Sequence, residues 1–120
     1  MAVAPPPRAT AAASQSPEPR WPPPATRGEA KKLARSAYIE ARRNYDEGDY
    51  ATAAVGFQKA DFYFPGAAPK YNLAECYDRL GERQNAIAAY QRFIDSRPSD
   101  KYADRVVHAR ERIRVLQPPP

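Results

Sequence analysis

One cysteine, Cys76, is too few for a disulfide within the chain or for a thiolate metal cluster. One histidine, His108, has no second histidine or cysteine to share a metal, so no metal site is expected. No apolar run approaches the ~18 residues of a membrane-spanning helix. The N-terminus lacks the basic and strongly apolar regions of a signal peptide. Ala-Thr-Ala-Ala-Ala-Ser at 9–14 has the small residues of a cleavage site, but nothing hydrophobic precedes it. The cytoplasm is the expected compartment for the chain as given, and the periplasm or envelope if the true start lies upstream. No glycine-rich phosphate loop, nucleophile elbow or histidine set beside a nucleophile is present, so neither catalysis nor a cofactor is expected. Asp46-Glu47-Gly48-Asp49 is acidic but lacks the alternating ligands and distant glutamate of a calcium loop, and reads as a helix-ending turn. No apolar alternation survives over four residues, so strands are not expected.

Proline is unevenly placed: the first thirty residues hold 8 of the 14. Proline removes a backbone donor and fixes φ, so residues 1–26 are expected to form a disordered Pro/Ala-rich arm with polyproline character. Such an arm serves as a linker, or as a polyproline ligand around Trp21. The net charge is +5, from 19 basic and 14 acidic residues, and about +4 of it falls beyond the arm. A balance of this size steers acidic partners without naming one, and the mixed signs along the chain suit solvated helix faces.

Beyond Arg27 the sequence turns to alanine, tyrosine and charge at helical spacing. Thr26 followed by Glu29 is a capping-box pattern opening a first helix that runs to about residue 47 and stops at Gly48. Further helices are expected at about 50–63, 67–80 and 82–96, punctuated by Pro65-Gly66, Gly81 and Pro98. Ser99 stands where an N-cap belongs, so a fifth helix should run to about residue 117, ahead of a proline tail at 118–120. Tyr102, Val106, Ala109, Ile113 and Leu116 form one apolar stripe along it.

The punctuation repeats. Gly48 and Gly81 are 33 residues apart, and the same offset pairs Tyr38 with Tyr71, Ala41 with Ala74, Ala53 with Ala86, Phe57 with Tyr90 and Pro65 with Pro98. The glycine permits the positive φ of an interhelical turn, and the alanine lets the second helix lie close to the first. The aromatic fills the space one turn on, and the proline closes the unit. A single pair cannot cover its own apolar face, so pairs must stack.

Tyr71-Asn72-Leu73-Ala74, Tyr77, Leu80-Gly81, Ala86-Ile87, Tyr90 and Pro98 make the chain resemble the tetratricopeptide repeat (TPR) family. The first repeat departs from the pattern at Ala37, Glu40 and Asn44. The resemblance implies an all-α fold: an α-solenoid of two antiparallel helix-turn-helix repeats plus a C-terminal capping helix. The domain would span 27–117, with repeat 1 at about 34–65, repeat 2 at about 67–98 and the capping helix at about 99–117. The segment 71–106 is also similar to bacterial TPR-containing proteins that serve envelope assembly or secretion.

In this family the first helix of each pair lines a concave groove that takes a peptide or helix of a partner protein. Carried over, that implies Arg35, Tyr38, Ile39 and Arg42 from the first repeat and Tyr71, Asn72, Glu75 and Arg79 from the second. The capping helix adds Lys101 and Arg105. Asn72, Lys101 and Arg105 fall where some members clamp a partner's C-terminal carboxylates, while Tyr38 and Arg42 occupy the two other clamp positions. The implied function is a non-catalytic scaffold or adaptor. The alternatives are a basic module for nucleic acid or another polyanion, which the interspersed acidic residues disfavour, and an envelope accessory protein. With fewer than three repeats, self-association stays open. Most tyrosines, and Cys76, are expected in the core. Phe62-Tyr63-Phe64 is expected to fill the gap beneath the next repeat or to form a convex apolar patch.

Overall fold

A computed structural model describes residues 21–118. Five α-helices follow in order: α1 (Arg27–Asp46), α2 (Tyr50–Tyr63), α3 (Ala67–Leu80), α4 (Arg83–Asp95) and α5 (Ala103–Leu116). A 3-10 turn (Asp100–Tyr102) precedes α5, and no strand occurs among the described residues. The chain is all-α, as the helical repeat requires.

α1 opens on the capping box. Thr26 Oγ1 accepts the Glu29 N–H at 3.0 Å, and the Glu29 carboxylate reaches back to the Ala25 N–H at 2.6 Å. The buried face of α1 is entirely alanine: Ala30, Ala34, Ala37 and Ala41. Short side chains at this spacing let α2 pack close. Gly48, at φ 87°, turns the chain, and Asp49 caps α2 by accepting the Thr52 N–H at 3.2 Å. Gly81, at φ 78°, makes the equivalent turn between α3 and α4. α2 ends at Tyr63 with Phe64 as its C-cap, ahead of Pro65, and Asp61 ties the next turn by accepting from Gly66 N–H at 3.0 Å and Lys70 Nζ at 2.8 Å.

Each helix packs on the next in the chain. Two apolar clusters result. Ala41, Ala53, Ala54 and Phe57 of the first hairpin enclose Leu73 and Cys76 of α3. Tyr71 and Ala74, also of α3, pack with Ala86, Ala89, Tyr90 and Phe93 of α4 and with Ala109 of α5. α3 therefore serves both cores. The residues paired by the 33-residue offset do equivalent work: Ala41, Ala74, Ala53, Ala86 and Phe57 are fully buried, and Tyr90 is 1% exposed. All five stripe residues of the last helix lie in or against the second cluster.

Three expectations need correction. First, the disordered arm expected over 1–26 falls outside the described residues for 1–20, but 21–26 lies against α2. The Trp21 ring centre is 5.7 Å from that of Phe62, and the Tyr63 hydroxyl donates to the Pro22 carbonyl at 2.8 Å. Prolines bring no N–H needing a partner, so aromatic surface and one hydroxyl suffice to hold the segment. Second, Tyr63 is accordingly buried by the residues before α1, while Phe62 and Phe64 stay about one-third exposed, at 36% and 37%. Third, Ser99 does not cap α5 with its side chain. Its carbonyl accepts the Tyr102 N–H at 2.9 Å, closing a 3-10 turn, and α5 begins only at Ala103.

Candidate functional site

Two adjoining clefts lie along α1 and α3. The first, of about 460 Å³, is lined by Tyr38 and Arg42 of α1, Ala68, Tyr71 and Asn72 of α3, Lys101 and Tyr102 of the 3-10 turn, and Arg105 of α5. Its floor is hydrogen-bonded. The Asn72 amide donates to the Tyr38 hydroxyl at 2.8 Å, which accounts for a polar side chain only 7% exposed. Tyr38 is held in turn by an edge contact with Phe57, ring centres 5.5 Å apart.

The rim is cationic. The Arg105 guanidinium lies 5.8 Å from the centre of the Tyr71 ring and 5.4 Å from that of Tyr102, and Lys101 Nζ lies 5.4 Å from the latter. The Tyr71 hydroxyl sits 2.6 Å from Nδ1 of His108. Burial, and next the Glu75 carboxylate, push the Tyr71 pKa well above the ordinary phenol value, so this ring stays neutral.

The second cleft, of about 610 Å³, is more apolar. Ala34, Tyr38, Ala60, Phe64, Ala68 and Pro69 line it, with Lys31, Lys32 and Arg35 along α1. Tyr38 and Ala68 border both clefts, which makes the two one continuous surface. The Phe64 ring is flanked by Arg27 at 5.5 Å and Lys31 at 5.3 Å from its centre. No carboxylate lines either cleft. Of the cations, Arg42 pairs with Asp46 at 3.7 Å, whereas Lys31, Lys32, Arg35, Lys101 and Arg105 form no ion pair among the described residues. The site can therefore supply positive charge, aromatic faces and a fixed amide next to an apolar trough.

Six of the ten groove residues implied by the sequence line the first cleft together: Tyr38, Arg42, Tyr71, Asn72, Lys101 and Arg105. Arg35 lines the second. Ile39 is 53% exposed and borders neither cleft. Glu75 is half-buried and acts on Tyr71, while Arg79 lies over the Tyr45 and Tyr50 rings and donates to the Tyr50 hydroxyl at 3.3 Å. Sequence reading missed Lys31, Lys32, Phe64, Pro69 and Tyr102. Lys31 stands one turn before Arg35, a signal that was available. Phe64 and Pro69 flank the α2–α3 connection, where no repeat position marks a lining residue.

Two other groups bear on chemistry. Cys76 is fully buried, and burial pushes its thiol up to about 12, leaving it protonated and a poor nucleophile near neutral pH. Among the described residues no group of three or more His, Cys, Asp or Glu side chains is placed to hold a metal ion, and no helix is long and apolar enough to cross a membrane.

Helix pairs laid side by side, each packed chiefly on its neighbours in the chain, define a helical-hairpin repeat architecture. A family model described as tetratricopeptide repeat matches residues 70–100, covering most of α3 and all of α4. That stretch is thus a tetratricopeptide repeat, and repeats of this kind generally mediate protein–protein interaction. The first hairpin, where Ala37, Glu40 and Asn44 depart from the pattern, lies outside the match. No curated protein and no solved structure matches the chain.

Proposed function

We propose that this protein is a non-catalytic adaptor that holds a segment of a partner protein in the concave cleft formed by α1, α3 and the start of α5. The observation that carries this reading is the convergence of Arg42, Lys101 and Arg105 on one cleft floored by the Tyr38–Asn72 hydrogen bond, with an apolar trough beside it. Lys101 and Arg105, which form no ion pair among the described residues, favour an acidic segment, and a trough lined by Phe64 and Pro69 favours an apolar side chain next to it. Asn72, Lys101 and Arg105 line the cleft together, so a terminal carboxylate is one form the acidic group can take.

Partners captured from a lysate by the wild type and by Lys101→Glu/Arg105→Glu test this, because both residues are exposed and their replacement spares the core. The double variant is expected to lose the groove-bound partner at least tenfold, a change of about 1.4 kcal/mol or more. An identical set of partners from both proteins refutes the reading. The same cations favour a second reading, a polyanion such as nucleic acid. It requires affinity that falls steeply with salt and does not depend on the apolar trough. Absence of a gel shift at physiological salt dismisses it.

A further inference from the structure

The outer face of α5 has a defined counterpart inside the fold. On α3, Ala67, Tyr71, Ala74 and Tyr77 form the face packed in the second core, against α4. Thirty-three residues on, the same positions are Asp100, Asp104, Val107 and Arg110. Ala41 and Ala74 are fully buried by α2 and α4, whereas Val107, the equivalent position on α5, is 67% exposed. At 100° per residue Val107 points about 140° away from the mean direction of the buried stripe, so it is the centre of an uncovered helix face.

Within α5 the charges nearest Val107 are placed symmetrically: Asp104 stands three residues before it and Arg110 three after. Asp100, in the 3-10 turn ahead of α5, and Arg114, seven residues after Val107, carry the same signs further out. All four are exposed. Asp100, Asp104 and Arg110 form no ion pair among the described residues, and Arg114 pairs only with Glu111 on its own helix. In an antiparallel pair of identical helices, the residue k places before a two-fold axis meets the residue k places after it on the partner. An axis through Val107 sets Asp104 against Arg110, a pair that occurs twice, with the two Val107 side chains in contact at the centre.

We propose that this face is a self-pairing surface, on which two copies of the chain join through antiparallel α5 helices about a two-fold axis at Val107. Each α5 then covers the other as α2 covers α1. The concave clefts stay open, because Arg105 points about 160° from Val107. A pair would present two clefts, so a partner carrying two matching segments would be held more tightly than by either cleft alone. A single valine ringed by charge makes a small, polar interface, so pairing is weak and depends on concentration.

Sedimentation equilibrium over a wide concentration range tests the proposal. The average mass is expected to rise from 13.4 kDa toward twice that. Val107→Glu abolishes the rise. Asp104→Arg and Arg110→Asp each weaken pairing about tenfold by setting like charges opposite, and the double swap recovers it. Helix content by circular dichroism should be unchanged in all of them, since these side chains are exposed. A chain that stays monomeric at every concentration overturns the proposal. So does a dimer indifferent to Val107→Glu and the single swaps, or one that the double swap fails to restore. None of these outcomes depends on whether the clefts bind a partner.

Discussion

Asp78 shows at the scale of one residue what the repeat pattern does and does not reveal. Its carboxylate accepts from Arg112 Nε at 2.8 Å and Nη2 at 2.9 Å, and from the Tyr90 hydroxyl at 2.8 Å, joining α3, α4 and α5. Tyr90 was legible as a core aromatic because Phe57 precedes it by one repeat. The ion pair was not, because it links residues 34 apart with no periodic marker. Hydrogen bonds from Arg112 hold the Asp78 pKa below the ordinary carboxylate value, against the opposing effect of burial, and Tyr90 adds to the lowering. On acidification the unfolded chain therefore takes up this proton first. The contribution of Asp78 is complete above the unfolded pKa of about 3.9 and is lost as pH falls from there through the folded value. Asp78→Asn should cost about 1–3 kcal/mol at neutral pH, and the gap from wild type should narrow on acidification below about pH 4. Urea unfolding at several pH values measures it, and parallel curves down to the acid limit would exclude the linkage.

Among the elements, glycine and proline made most boundaries readable, since Gly48, Pro65, Gly81 and Pro98 each stop a helix for a local reason. The start of α5 was misread because a serine ahead of charged residues satisfies an N-cap pattern whether or not the next turn is 3-10. Helix spacing was less legible still. A Cβ added to Gly56 would lie 2.8 Å from the Ala41 Cβ, so α1 and α2 approach more closely there than a side chain on each allows. The 33-residue offset places Ala89 opposite Ala74 in the second hairpin, where two alanines are accommodated. Sequence alone pairs Gly56 with Ala89 as two small residues and cannot say which hairpin is tighter. Gly56→Ala gains about 1 kcal/mol of helix propensity but overpacks by about 1–3 kcal/mol, so a net loss of about 1 kcal/mol is expected. Combined with Ala41→Gly it should show favourable coupling of about 1 kcal/mol in a double-mutant cycle followed by denaturant. Strict additivity would mean that the helices move apart at no cost.

For the whole molecule, the all-helical repeat architecture was legible because a solenoid is built from one local rule applied twice, and its contacts run between chain neighbours. The clefts were only half legible: Arg42, Tyr71 and Arg105 follow the register, but Phe64 and Pro69 reach the surface through a connection the register does not describe. Contact that runs mainly between chain neighbours also has a thermodynamic consequence. In such a stack, stability is a sum of hairpin and interface contributions, so damage at one end need not unfold the other. Ala109 is fully buried between α5 and the second core, and a carboxylate there has no partner in the apolar cluster. Ala109→Asp should cost several kcal/mol at the α4–α5 interface, releasing α5 and exposing Phe93 and Tyr90. Hydrogen exchange should then accelerate most in α5, next in α4, and least in α1 and α2, whose own core contains no residue of α4 or α5. If α1 lost protection as fully as α5, the chain would unfold as one cooperative unit despite its serial contacts, and α3, the one helix shared by both cores, would be the element that couples them.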